Sequence, residues 1–262
     1  MMSNNTIKHK IIAFANQKGG VGKTTSAVNI AACIAKNEYS VLMIDCDPQG
    51  NATSGLGISK KNLSSSVYDI IIGSNSPEDV ILKTGVKNLS IIPSSIDLVA
   101  AELELVKVEN REYRLKNAID KIKDKYDYII LDCPPSLGLI TINALNTATA
   151  IVVPLLCEFY SLEGLTQLTR TIRLIRQSQN PSLELIGVII NMYDGRLNMS
   201  LQVMEQIKKY FPDKIINPPI PRNVKVSEAP SHGKPVIEYD KFSKGAIAYN
   251  LATIELLNRT KR

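Results

Sequence analysis

No apolar run in this chain of 262 residues approaches the roughly 18 to 20 residues needed to cross a bilayer. The opening "MMSNNTIKHK" is polar and lacks the apolar stretch of a signal peptide. A cytoplasmic protein is expected. Paired cysteines are also missing: Cys33, Cys46, Cys133 and Cys157 are far apart and form no CxxC, which argues against a zinc site or a disulfide framework. They read as buried small hydrophobes, with a thiolate-bound iron–sulfur cluster shared between subunits as the sharper alternative. Repeats, low-complexity tracts and a dividing linker are absent. With 44% apolar residues, residues 1–262 are expected to form a single domain, with 1–9 as a short N-terminal extension.

The net charge is a modest +6, but residues 192–262 carry 12 lysines and arginines against 7 acids. A lopsided basic end fits either a polyanion partner or a solvated surface of loops and helix ends.

What the chain does have is alternation. Short β-branched runs, "IIAFAN", "VLMIDCD", "LSIIPS", "YDYIILDC", "AIVVPLL" and "LIGVIINM", with a weaker one at "KIINPPIP", are apolar nearly throughout. Strands covered on both faces read this way. Amphipathic segments lie between them: Lys23 to Lys36, about Leu98 to Lys125, Leu162 to Gln177, Leu201 to Tyr210 and Ser243 to Leu257. The pattern predicts an α/β fold, a mostly parallel twisted sheet with helices on both faces. The polar stretch from Gly50 to Ser66 is expected to be a long loop.

"GGVGKTT" follows the first strand and opens the helix "TTSAVNIAACIA", the strand, loop and helix order that phosphate binding requires. Gly19, Gly20 and Gly22, around Val21, allow close backbone approach, so successive amide hydrogens can meet phosphate oxygens at a helix N-terminus. Lys23 is placed to bridge β- and γ-phosphates, and the hydroxyl of Thr24, with Thr25 beside it, to take Mg²⁺. The alternative is a glycine-rich turn with an exposed lysine. "YDYIILDCPP" weakens that alternative by ending a buried strand on Asp132, where an unpaired carboxylate is costly without a metal–phosphate partner. "VLMIDCDPQGN" ends another strand on Asp45 and Asp47. Asp47 is the better candidate to orient a water against the γ-phosphate; Asp45 fits a loop anchor or a place near the metal, and structural capping competes for both. All three segments sit at carboxyl ends of strands, where open parallel sheets bind ligands.

The lysine ahead of the glycines, Lys18 in "ANQKGGVGKTT", gives the loop a resemblance to the deviant Walker A motif of the ParA/MinD group of P-loop ATPases, chromosomal Soj/ParA partition proteins above all. "IDCDPQGNATSGLG", "YDYIILDCPPSLGLITINAL", "CEFYSLEGL" and "IPRNVKVSEAPSHGKP" extend the likeness from about residue 11 to residue 240. The resemblance implies ATP and Mg²⁺ as cofactors and an ATP-sandwich homodimer in which Lys18 reaches the partner's phosphates. It also implies Lys23 as the phosphate lysine in cis, Thr24 and Asp132 at the metal, and Asp47 at the attacking water. Asn191 and Pro221, Arg222 and Asn223 match its adenine-contacting positions, though ordinary strand-end and turn roles remain open for them.

Non-specific DNA binding is implied through Arg196 and Lys225, with Arg222, Lys241 and Lys244 as weaker candidates. Lys225 stands where relatives often have arginine, which keeps the charge but not the bidentate geometry. A ParB-like centromere-binding partner, a nucleoid-associated location, and slow, partner-stimulated hydrolysis complete the implied picture, with no membrane contact. The alternative is a MinD-like membrane switch, which would need an amphipathic C-terminal helix free to insert. "AIAYNLATIELLNRTKR" reads instead as a helix docked on its own sheet.

Overall fold

The computed structural model describes residues 10–158 and 161–261. The N-terminal extension of residues 1–9 lies outside them, as do Phe159 and Tyr160 of "CEFYSLEGL". Eight strands, β1 (Ile11–Phe14), β2 (Val41–Asp45), β3 (Leu82–Lys83), β4 (Leu89–Ile92), β5 (Tyr128–Asp132), β6 (Ala150–Leu156), β7 (Glu184–Asn191) and β8 (Ile215–Ile216), make one sheet. Its order is β3-β4-β2-β5-β1-β6-β7-β8. Neighbours run parallel except β3 against β4. β1, β2 and β5 are buried at every residue, which is why they read as unbroken apolar runs. β3 was not foreseen: it is two residues long, half exposed and ends on a lysine, too short and polar to leave a strand signature, yet suited to a sheet edge.

Period-two alternation divides these strands between two cores. Ile11, Ala13, Leu42, Ile44, Ile129 and Leu131 pack on one side; Ile12, Phe14, Val41, Met43, Tyr128 and Ile130 pack on the other. Helices α1 (Lys23–Lys36), α2 (Asn51–Gly55), α11 (Val236–Tyr239) and α12 (Lys244–Arg259) cover the second core. The first is covered by α3 (Val67–Ile72), α4 (Pro77–Val80), α5 (Leu98–Glu104), α6 (Arg114–Ile119), α7 (Leu139–Thr147), α8 (Ser161–Ser178) and α9 (Asn198–Tyr210). One further short helix, α10 (Val224–Glu228), is capped by the Asn223 side chain, which accepts from the Val226 amide at 3.3 Å.

Two expectations need correction. Leu98 to Lys125 is not one amphipathic helix: α5 gives way to 3₁₀ turns at Leu105–Lys107 and Arg111–Tyr113 before α6 begins. Asn110 turns left-handed at φ 53°, and Arg114 donates to the carbonyls of Ile71 and Ile72 at 2.8 and 2.9 Å, closing the open end of α3. These tertiary bonds outweigh the local helical pattern. Nor is Gly50 to Ser66 a plain loop. It contains α2 and a 3₁₀ turn at Lys60–Asn62, and Ser66 forms a capping box with Asp69 at the start of α3.

Candidate nucleotide site

β1 lies between β5 and β6 in the middle of the sheet, so the loop that leaves it emerges among the carboxyl ends of central strands. The loop is tied down at its base. Asn16 donates its amide to the Pro154 carbonyl at 2.7 Å and accepts from the Lys18 backbone N–H at 3.0 Å. At the far end Gly22, at φ 81°, starts α1 with no side-chain cap and no acid in the first turn. The first-turn amide hydrogens are left to an external acceptor, and the helix dipole makes that acceptor an anion.

Gly22 is required twice over. Its left-handed backbone disfavours a side chain, and an added Cβ would stand 2.8 Å from Asn191 Nδ2. Gly19 is different. Its backbone is not left-handed, and nothing lies within 4 Å of the Cβ it lacks. Among the described residues nothing gives Gly19 a steric reason to be glycine.

Three carboxylates gather at the strand ends below the loop. Asp45 and Asp132 are fully buried and lie side by side in the β2–β5 register; Asp47 is 8% exposed. Asp45 accepts from the Thr53 amide at 2.8 Å, the Thr53 hydroxyl at 2.7 Å and the Asp47 amide at 3.2 Å. It anchors the segment after β2, and burial still pushes its carboxyl up to about 6 against those bonds. Asp47 accepts from the Gln49 amide at 2.9 Å through Oδ1.

Among the described residues no hydrogen bond of good geometry reaches either carboxylate oxygen of Asp132, although the Thr24 hydroxyl lies close enough to favour its charged form. Burial first, and then the Asp45 charge, push it well above the usual carboxylate range, while Thr24 and Lys23 work against the shift. A buried carboxylate with nothing to accept is expensive. A hydrated divalent cation supplies the donors it lacks. Among the described residues no group of three or more His, Cys, Asp or Glu side chains converges as a metal cage, so a cation here needs the Thr24 hydroxyl and phosphate oxygens, the way Mg²⁺ is usually held.

Lys23 is 7% exposed and donates its ammonium to the Lys18 carbonyl at 3.0 Å. Burial lowers its pKa from the ordinary lysine value, and the charges of Asp132 and Asp47 oppose that. Beside the loop a cleft of about 540 Å³ is lined by Gly22, Thr25, Asn191, Pro221, Arg222 and Asn223, among others. The adenine-contact candidates therefore do meet the phosphate loop.

A family model described as an AAA domain matches residues 9–185. The sporulation initiation inhibitor protein Soj of Bacillus subtilis is 55% identical over 240 residues, covering 92% of this chain and 95% of that protein. The chromosome partitioning protein ParA of Myxococcus xanthus is 47% identical over 250 residues, 95% of this chain and 88% of the relative. The chain belongs to the ParA/MinD-type P-loop ATPases. A solved structure with the same fold is the cobyrinic acid a,c-diamide synthase of Mycobacterium smegmatis with a bound ATP analogue and magnesium. Its TM-score is 0.81 at 37% identity, over 92% of this chain and 91% of that one.

In this ATPase the side chain of Asn191 is committed inward. It donates to the Val21 carbonyl at 2.8 Å and the Ser26 hydroxyl at 2.9 Å, and accepts from the Tyr249 hydroxyl at 3.4 Å. It clamps the phosphate loop to the end of β7. Tyr249 carries no sequence signal for this place, being on the last helix. Lys18 turns outward instead, and its ammonium pairs with Glu158 just beyond β6. Glu158 is a functional neighbour that the motifs do not single out; its signal in the sequence is a carboxylate just after an apolar strand.

Both leading cation candidates for DNA have acidic partners. Arg196 forks onto Asp194, Nε to Oδ1 at 2.9 Å and Nη2 to Oδ2 at 2.6 Å, and Lys225 donates to Glu228 at 2.9 Å. Exposed pairs of this kind are weak and exchange readily for another anion. Among the cysteines, Cys33, Cys46 and Cys133 are buried, and burial pushes the Cys33 thiol up to about 12 and Cys157 up to about 11.

Proposed function

We propose that this ATPase binds ATP with Mg²⁺, closes into a homodimer around two nucleotides, and then binds double-stranded DNA through phosphate contacts without sequence preference. A ParB-like centromere-binding protein stimulates slow hydrolysis and releases the dimer, and the cycle drives segregation of a chromosome or plasmid. The relatives named for chromosome partitioning support this reading. The observation that carries it is the loop itself: a second lysine turned outward beside a glycine that nothing among the described residues requires.

Each residue then has a role. First-turn amides of α1 and Lys23 would hold the β- and γ-phosphates; Thr24 and Asp132 are the residues that would hold Mg²⁺, and the ion would supply charge neutralisation for phosphoryl transfer. Asp47 orients the attacking water. Lys18, exchanged from Glu158, adds a cation from the neighbouring subunit, as an arginine finger does. Pro221, Arg222 and Asn223 border the base, and Arg196 and Lys225 exchange their carboxylates for DNA phosphates.

The test is a DNA-binding titration with ATP, with ADP and without nucleotide, for the wild type and Lys18→Ala, beside liposome sedimentation. Retention on DNA with ATP alone, lost in Lys18→Ala while ATP binding persists, is the expected result. Nucleotide-independent retention refutes the switch. Liposome binding favours the membrane reading, for which α12 leaves Ile247, Leu251 and Ile254 half exposed. Among the described residues no helix is long and apolar enough to cross a membrane.

A further inference from the structure

The chain has four phenylalanines and no tryptophan. Phe14 is fully buried, whereas Phe242, just ahead of α12, is 80% exposed, more than any other large apolar side chain among the described residues. A single exposed apolar residue on a loose loop is ordinary, but the turn that carries this one is fixed at each joint. Asp240 accepts from the Phe242 amide through Oδ1 at 3.1 Å, and its carbonyl accepts from the Ser243 amide at 3.2 Å and the Ser243 hydroxyl at 2.9 Å. Ser243 Oγ in turn accepts from the Ala246 amide at 3.2 Å. Behind the turn Gly245 packs so closely that an added Cβ would stand 2.3 Å from Val226 Cγ2. The backbone under the ring is thus fastened to the body of the protein, and whatever buries the ring has to come from outside.

The ring borders an open groove of about 680 Å³, lined by Lys36, Lys225, Tyr239 and Lys241 among others. Cations and rings alternate along it. Lys241 stands over the Phe242 ring at 5.0 Å and Lys225 over the Tyr239 ring at 5.6 Å, and His232 stacks on Tyr239 at 4.8 Å between centroids. The acids present are already engaged: Glu238 with Lys36 at 2.8 Å, Glu228 with Lys225 at 2.9 Å, and Asp240 with the turn itself. Among the described residues Lys241 and Lys244 have no carboxylate partner, so the anion that answers them is external. A lone ring between cations is a poor seat for a protein helix or a bilayer, both of which need a continuous apolar area. It suits a nucleic acid strand, whose phosphates take the lysines and whose bases have an apolar face for the ring.

We propose that Phe242 is a wedge: while Lys225, Lys241 and Lys244 grip phosphates of double-stranded DNA, its ring enters the base stack at a deformable step and packs on a base. This contact deepens the DNA reading above and rests on it. Phosphate contacts are indifferent to sequence. Partial unstacking is not, being least costly at pyrimidine–purine steps such as TA and most costly in stiff A-tracts. The protein should therefore favour deformable duplexes without reading any base edge.

The test is a fluorescence anisotropy titration of the full chain, with ATP and Mg²⁺, against two labelled duplexes of equal length and base composition, one of alternating TA steps and one an A-tract. The wild type is expected to bind the TA duplex several-fold more tightly. Phe242→Ala should bind that duplex roughly fivefold more weakly, as loss of one base–aromatic stack does, should no longer distinguish the two, and should keep the wild-type salt dependence. Lys241→Ala should do the reverse, keeping the preference and lowering the salt slope by about one phosphate. Phe242→Trp places the only indole in the chain at the wedge, and its emission should be quenched and shielded from acrylamide when the TA duplex binds. Thermal melts of the variants should match the wild type, the side chain being almost wholly in solvent.

Equal affinity of the wild type for the two duplexes, undiminished binding by Phe242→Ala, or unchanged indole emission at saturating DNA overturns the wedge and leaves the DNA reading standing, since phosphate contacts then account for all the binding. A salt slope that falls together with affinity in Phe242→Ala also overturns the wedge, because the ring then only steadies Lys241. Retention on phosphatidylglycerol vesicles that Phe242→Ala abolishes assigns the ring to a membrane instead. A wild type that binds neither duplex in any nucleotide state overturns the DNA reading, and the wedge with it.

Discussion

Two glycines three residues apart should fail in opposite ways. At Gly22, an alanine would take on a left-handed backbone that costs an L-residue roughly 1–2 kcal/mol. Its Cβ, 2.8 Å from Asn191 Nδ2, would also disturb the bonds from Asn191 to Val21 and Ser26, each worth about 1 kcal/mol. The sum is about 2–4 kcal/mol, which for a chain of this size lowers Tm by roughly 5 to 15 °C. At Gly19, an added Cβ meets nothing within 4 Å among the described residues, so the stability of Gly19→Val should stay within about 0.5 kcal/mol of the wild type, as for an ordinary surface substitution. Gly19→Val should also keep ATP binding, because its amide is retained, yet obstruct the approach of two loops in a dimer. Thermal melts of the nucleotide-free proteins measure the first contrast and sedimentation velocity with ATP the second. A normal ATP-dependent dimer of Gly19→Val refutes the reasoning, as does a Gly22→Ala protein that melts with the wild type.

Asp47→Ala should yield a long-lived ATP dimer with little turnover; phosphate release at the wild-type rate would remove Asp47 from the mechanism. Arg196→Glu should abolish DNA retention while nucleotide binding persists, and wild-type DNA affinity should drop roughly tenfold or more between 50 and 200 mM salt. Unchanged retention of Arg196→Glu at low salt would place the basic face elsewhere. Asp45, raised to about 6 from an ordinary 3.8, is favoured in its protonated form by the folded state, so the stability it allows is lost as pH rises from the ordinary value through about 6. The nucleotide-free protein should therefore melt higher near pH 5 than near pH 7.5, and Asp45→Asn should reduce that difference without abolishing it, because Asp132 is raised in the same direction; a steeper dependence in the variant contradicts the assignment.

Where local pattern and tertiary demand agree, the sequence was readable to the residue. α1 runs from Lys23 to Lys36 as its apolar spacing indicates, and Asp132 ends β5 as the cost of burying a lone carboxylate suggests. Gly50 to Ser66 was misread because its order comes from a distant acceptor: Thr53 is fixed by Asp45, and Ser94 in turn bonds Thr53. Leu98 to Lys125 was misread because its apolar spacing persists through turns that Asn110 and Arg114 impose. At the site, the residue types near the phosphates followed from their positions at strand ends. The inward commitment of Asn191 did not, because it depends on Ser26 and Tyr249, brought together from opposite ends of the chain.

The bond from Lys23 to the Lys18 carbonyl sets a rule of precedence. Any phosphate that claims the Lys23 ammonium competes with that carbonyl, so the occupancy of a subunit's own pocket and the freedom of residue 18 meet in a single peptide unit. The turn is moored from below by Lys23 and from the side by Glu158. If Lys18 acts across a dimer as proposed, arrival of a subunit's own phosphates at Lys23 would loosen the turn that holds it. For the homodimer proposed above, pairing of one loaded subunit with one lacking nucleotide would thereby be disfavoured.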